Sequence, residues 1–126
     1  MVINFNPKYI PGDIVYNHKK EIIRITSSYL KGTKLFYYRD GECGWIREDA
    51  IKPIPLTPEI LEKNGWKSIN GKYALKIKNA NYVVLEFTED GIYTYINENT
   101  MLFTIKYIHE LQHLLFGLGL NSEMEV

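Results

Sequence analysis

The chain of 126 residues is poor in several of the things that would assign it a chemistry. It has one cysteine, Cys43, so no internal disulfide can form, and no histidine adjoins that thiol in sequence to make it a nucleophile. It lacks an excess of charge of either sign, with 15 Lys and Arg against 15 Asp and Glu. A general binder of nucleic acid normally carries a clear basic surplus, so that partner class is disfavoured. It has no long apolar run: the most apolar segment, from Ile105 to Leu120, is interrupted by Lys106, His109, Glu110, Gln112 and His113, which excludes a membrane span of ~20 residues. The first residues show no charged stretch followed by an apolar one, so a cytoplasmic location is expected. A phosphate-cradling glycine loop is missing too, because Gly117-Leu118-Gly119 follows a predicted helix instead of opening one.

What the chain has in quantity is tyrosine, with 10 copies, and together with Val, Ile, Phe and Trp this predicts a largely β protein. Strands are expected at Ile14 to Tyr16, Glu21 to Leu30, Lys34 to Arg39 and Trp45 to Arg47, followed by a short turn at Glu48-Asp49-Ala50 and an extended piece from Ile51 to Ile54. Ile23 and Ile25 share one face by alternation. Five short strands in so little chain predict a small closed barrel, which leaves few exposed edges.

Pro11-Gly12-Asp13-Ile14-Val15-Tyr16, Gly44-Trp45-Ile46 and Ile51-Lys52-Pro53-Ile54 resemble the opening and closing strands of SH3-like barrels over residues 8 to 55. The acidic, tyrosine-containing loop of proline-binding SH3 domains is absent, yet Tyr37, Tyr38 and Trp45 are candidates to line a binding groove.

Beyond the stiff Pro53-Ile54-Pro55, Thr57 is placed to cap a helix, Pro58 suits its first position, and Gly65 ends it with Trp66 packing back on Leu61. A three-stranded antiparallel meander is predicted at Lys72 to Lys78, Asn81 to Thr88 and Ile92 to Asn97, with Tyr73, Leu75 and Ile77 on one buried face and Val83, Leu85 and Phe87 on the next strand's. A C-terminal amphipathic helix follows from Ile105 to Phe116. The expected fold class is thus α+β, with a barrel module over residues 1–55 and an α-β-β-β-α module over residues 56–126.

One motif suggests metal chemistry. His109-Glu110-Leu111-Gln112-His113 fits the H-E-x-x-H pattern, which on a helix sets two imidazoles one turn apart beside a carboxylate. Read as in a zincin, His109 and His113 would ligate zinc and Glu110 would act as general base, making the chain a hydrolase. The third ligand is the weak point, since only Glu123 or Glu125 downstream, or the distant His18, is available. On a helical wheel Ile108, Leu111, Leu114, Leu115 and Leu118 fall on one face, while Lys106, His109, Glu110 and His113 group opposite, and a solvent-facing or partner-facing surface accounts for them without zinc.

The stretch Pro53 to Trp66, centred on Leu56-Thr57-Pro58-Glu59-Ile60-Leu61-Glu62-Lys63-Asn64-Gly65, and the tail Tyr107 to Leu120 resemble small uncharacterised proteins of phages, prophages and mobile elements of gut Bacteroidales. That resemblance implies a genomic setting and no particular chemistry. The expected function is a non-enzymatic interaction module, without cofactor, that binds a protein partner or a second copy of itself. Its candidate contact residues are Tyr37, Tyr38 and Trp45 on the barrel and Lys106, His109, Glu110 and His113 on the helix. The alternatives are the zinc hydrolase and a weak nucleic-acid contact through the barrel. The neutral total conceals an asymmetry that bears on the last of these: nine Lys and Arg against six Asp and Glu lie within the first 55 residues, leaving six against nine beyond.

Overall fold

A computed structural model describes residues 8–41, 44–97 and 99–126. Cys43 and its expected free thiol lie outside the described residues. The N-terminal sheet has strands β1 (Ile14–Tyr16), β2 (Ile22–Lys31), β3 (Lys34–Arg39) and β4 (Trp45–Arg47), antiparallel and in sequence order. A 3-10 turn at Glu48–Ala50 reverses the chain, and the returning segment bonds to β1 through Tyr16 and Lys52, each amide donating to the other's carbonyl at 2.9 Å. Tyr9, Val15, Ile23, Ile25, Tyr37, Ile46 and Ile51 fill the interior.

Irregularity in β2 decides which side chains the sheet hides. Ile23 and Ile25 point inward as expected, but the register with β3 shifts between Ile25 and Ser27. Such a bulge changes the phase of the alternation, so the even-numbered Ser28 then shares the side of Tyr37 opposite it, though it stays exposed, while Tyr29 turns outward opposite Phe36. The hairpin closes at Gly32, whose positive φ of 64° supplies the tight reversal and leaves Lys31 directly opposite Lys34.

Helix α1 (Pro58–Lys63) forms as its caps predict. The Thr57 hydroxyl accepts from the Ile60 amide at 3.3 Å, and Trp66 donates back to Leu61 across a left-handed Gly65. The second sheet exceeds the expected meander. It has five antiparallel strands in sequence order: β5 (Lys67–Ile69), β6 (Lys72–Lys76), β7 (Tyr82–Thr88), β8 (Gly91–Ile96) and β9 (Thr100–Ile105). Tyr73, Leu75, Val83, Leu85, Phe87, Ile92 and Ile105 join the core of this half.

Helix α2 (Ile108–Gly117) starts three residues later than expected because β9 runs on to Ile105. Ile108, Leu111, Leu114 and Leu115 are buried in the second core as the wheel predicts, whereas Leu118 caps the helix and stays exposed. The proline connector is stitched to the helix start: Leu56 donates to the Lys106 carbonyl at 3.1 Å, and Ile108 donates to that of Ile54 at 2.9 Å. Ile14 on β1 belongs to the second core while its neighbour Val15 belongs to the first, so β1 is the wall shared by both halves. The fold class is α+β, and no helix among the described residues is long and apolar enough to cross a membrane.

Candidate functional site

The polar face of α2 is only partly open to solvent: His109 and Gln112 are buried, Glu110 and His113 are half-buried, and Lys106 is exposed. It lies against the first half of the chain, and the expectation of a solvated or partner-facing stripe is corrected at His109. Gln112 is 3% exposed and its amide is fully used: Oε1 accepts from the Ile14 amide at 2.9 Å, while Nε2 donates to the carbonyls of Gly12 at 2.9 Å and Ser122 at 3.0 Å. One side chain thereby ties α2 to the strand of the other half and to the C-terminal tail. Sequence reading passed over it as an unspecified position of the motif.

His113 donates from Nε2 to Asp13 Oδ2 at 2.7 Å, and the same carboxylate oxygen accepts from the Ile10 amide at 2.9 Å. The Asp13 side chain is almost wholly buried, and a carboxylate there needs a countercharge. Its hydrogen bond is the main cause that pushes the His113 pKa above the ordinary histidine value, against partial burial. His109 is 4% exposed, with its ring edge-on to Tyr9 at 5.0 Å and stacked on Tyr107 at 5.9 Å. Burial pushes its pKa down and outweighs the opposite pull of Asp13 and Glu110, while His113 and Lys8 add to the lowering. Nδ1 of His109 and the hydroxyl of Tyr9 are both buried with no hydrogen-bond partner. Burial first, then the charges of Glu48 and Asp13, raise the Tyr9 phenol to about 12.

Glu110 is not poised as a base. Its Oε1 accepts from the amides of Lys106 at 2.8 Å and Tyr107 at 3.0 Å, the carboxylate half of a capping box at the helix start. Lys106 itself precedes the helix and is exposed. The residues offered as third ligands are held elsewhere. Glu125 exchanges backbone bonds with the Asn64 side chain at 2.8 Å in both directions, and Glu123 is exposed. Among the described residues no three His, Cys, Asp or Glu side chains group as metal ligands. The pattern H-E-x-x-H is here a docking seam: one histidine packs, one pairs with a buried acid, and the glutamate caps its own helix.

The barrel candidates divide. Tyr37 is fully buried, so its expected place on a binding groove is corrected: its hydroxyl donates to Glu48 and accepts from the Lys8 and Tyr9 amides at 3.1 and 3.3 Å. Burial and that bond to Glu48 hold its phenol well above the ordinary tyrosine value. Tyr38 and Trp45 are on the opposite face, 39% and 40% exposed, and the bulge has brought Tyr29, 44% exposed, beside them. Trp45 is the hub, with ring centroids 4.4 Å from Tyr29, 5.3 Å from Phe36 and 5.4 Å from Tyr38, the last pair stacked within 18°. The strand register gives the rest of this outer face. Ser27 lies opposite Tyr38, Lys31 opposite Lys34, and Arg47 opposite Phe36, and no acidic residue takes an outward position in these pairings.

A cleft of about 470 Å³ is lined by Lys34 and Arg47 together with Lys8, Lys52, Leu35 and Ile51, with Glu48 and Asp49 also on its wall. Tyr29 was missed because strict alternation from Ile23 and Ile25 puts it with the core. The Gly32-Thr33 turn, counted back along both strands, was the signal able to place it.

No protein-family model, no curated protein and no solved structure matches this chain.

Proposed function

We propose that the chain is a non-enzymatic binding module and that its recognition surface is the outer face of β2, β3 and β4. The observation that carries this reading is the cluster of Tyr29, Phe36, Tyr38 and Trp45, four rings gathered on one sheet face with three of them more than a third exposed. Large aromatic side chains are usually buried, and gathering several in water is unfavourable unless something covers them for part of the time. The hydrolase reading loses support for the opposite reason, since each member of His109-Glu110-His113 already has a structural use.

The SH3-like likeness of residues 8–55 belongs to the same proposal. It is supported by the 3-10 turn at Glu48–Ala50 and by the return of the next segment onto β1. A mobile-element setting, resting on residues 53–120, suits a small accessory binding protein and is proposed with it.

Three probes test the reading: a proline-rich peptide, a single-stranded oligonucleotide, and the chain's own concentration series in sedimentation velocity. At least one is expected to show saturable association that Tyr38→Ala with Trp45→Ala removes. Glu110→Gln is expected to change neither association nor any background hydrolysis of a chromogenic peptide. Association that ignores the aromatic variant, or a hydrolytic rate that vanishes with Glu110→Gln, would overturn it.

A further inference from the structure

The aromatic face carries a second pattern that narrows what covers it. At the end of the β2–β3 hairpin Lys31 and Lys34 stand directly across from each other. Like charges in that arrangement repel and weaken a hairpin, and neither lysine has an ion-pair partner among the described residues. Arg47, one strand further on and opposite Phe36, binds Asp49 at 2.7 Å in a pair exposed on both sides, so its remaining guanidinium donors are open to solvent. Flat rings and cations therefore share one surface, two of the cations without an ion-pair partner among the described residues, and the cleft that Lys34 and Arg47 line adds Lys8 and Lys52 beside Glu48 and Asp49. The zero net charge of the chain hides this, because the surplus of three cations in the first 55 residues is cancelled by acids of the other half.

Resting on the reading of this face as the recognition surface, we propose that it binds single-stranded nucleic acid, with bases stacking on Tyr29, Tyr38 and Trp45 and phosphates held by Lys31, Lys34 and Arg47. Each class of alternative occupant uses half of the pattern. A proline-rich peptide uses the rings and leaves the facing lysines unrelieved, while an acidic peptide relieves the lysines and has nothing flat to lay on the rings. A duplex presents phosphates but keeps its base faces inside the stack. An unpaired strand offers π faces and anionic groups at short, regular intervals, and stacking tolerates any base. From Lys34 to Tyr38 along β3 is a run of about 13 Å, so ring and cation contacts fall within the reach of a short oligonucleotide.

The test is fluorescence anisotropy of an end-labelled oligothymidylate of about eight nucleotides with the full chain over a salt series, a length within the range such surfaces occupy. Saturable binding is expected, and a duplex of equal length should compete poorly. Tyr38→Ala with Trp45→Ala should weaken binding by about 10-fold or more, since each stacked base typically contributes about 5- to 150-fold. Lys31→Ala with Lys34→Ala should weaken it and reduce the slope of log K against log salt by about 1.4. Phe116→Ala, an exposed aromatic on α2, is the control expected to bind as the wild type, and a thermal melt of each variant confirms that it folds.

Equal competition by duplex, or binding indifferent to the aromatic pair, would overturn the proposal. No oligothymidylate binding, with a proline-rich peptide held through Tyr38 and Trp45, would overturn the nucleic acid and leave the recognition face standing. No association by any probe would overturn both.

Discussion

Two polar-aromatic clusters sit on opposite sides of the first half of the chain, and they exchange the roles their sequences suggest. The seam around His109, Gln112, His113 and Asp13 carries the residues of a catalytic motif, yet all but the partly exposed His113 are buried and each member serves the docking of α2. The face of Tyr29, Phe36, Tyr38 and Trp45 has the composition of an ordinary β core, yet its rings stand in water. Position, not residue type, separates scaffold from surface here. A histidine on a helix is a ligand only if its nitrogens point at an open site, and a tyrosine in a strand is core only if its parity survives every bulge before it.

The contrast predicts that breaking the seam costs stability and that breaking the face costs binding. Gln112→Ala should have the largest effect, because it strips partners from the Ile14 amide and from the Gly12 and Ser122 carbonyls at once. The Ile14 amide is the buried one of the three, and a buried polar group left unpaired typically costs ~1–3 kcal/mol, so a loss in that range is expected in urea unfolding. A loss under ~1 kcal/mol would show that the seam does not hold the halves together.

Next comes the Asp13 and His113 pair. A double-mutant cycle with Asp13→Asn and His113→Gln should give a coupling of about 1 kcal/mol or more at pH 6, and additive losses would deny the contact. Its pH dependence has a definite sign. His113 has a raised folded pKa, so its contribution is complete below the ordinary value of 6.5 and is lost as pH rises from there through the raised value. His109 has a lowered one, so below 6.5 the unfolded chain takes up a proton that the folded chain refuses, and stability falls on the acid side. The histidine-dependent part of stability should therefore peak near pH 6.5. His113→Gln should flatten the alkaline flank and His109→Phe the acid one.

His109→Phe sharpens the comparison further. A ligand or catalytic histidine does not survive that change, whereas a packed ring with an unpartnered Nδ1 loses little and sheds an unmet polar group. Stability within about 1 kcal/mol of the wild type, or above it, is expected from chemical denaturation. The smallest effect on folding belongs to Tyr38→Ala with Trp45→Ala. Both rings are more than a third exposed and their ring contacts stay on the outer face, with Tyr29 and Phe36, so the melting temperature should drop by only a few degrees while association weakens by about 10-fold or more.

Much of the fold was legible because it rests on local chemistry. The caps of α1 are spelled out by Thr57, Pro58 and Gly65, and the inward faces of β6 and β7 by alternation at Tyr73, Leu75, Val83 and Leu85. The two outer strands of the second sheet were not anticipated. β5 is three exposed residues with one paired edge, and its only local signal is Asn70-Gly71, a hairpin turn in which both residues have positive φ. β9 runs directly toward α2, so its apolar residues merge with the helical pattern. The seam was illegible for a different reason. Asp13 and His113 are 100 residues apart, and a helical wheel shows which residues share a face without showing what docks on it.

The most direct test of the account is a nitrogen-15 correlation map of the wild-type chain titrated with the short oligothymidylate. The expected result is a set of saturable shifts confined to β2, β3 and β4, centred on Tyr29, Tyr38 and the Trp45 indole, with the amides of His109 to His113 unmoved. Shifts centred on His109 to His113, or a spectrum unchanged throughout the titration, would contradict it.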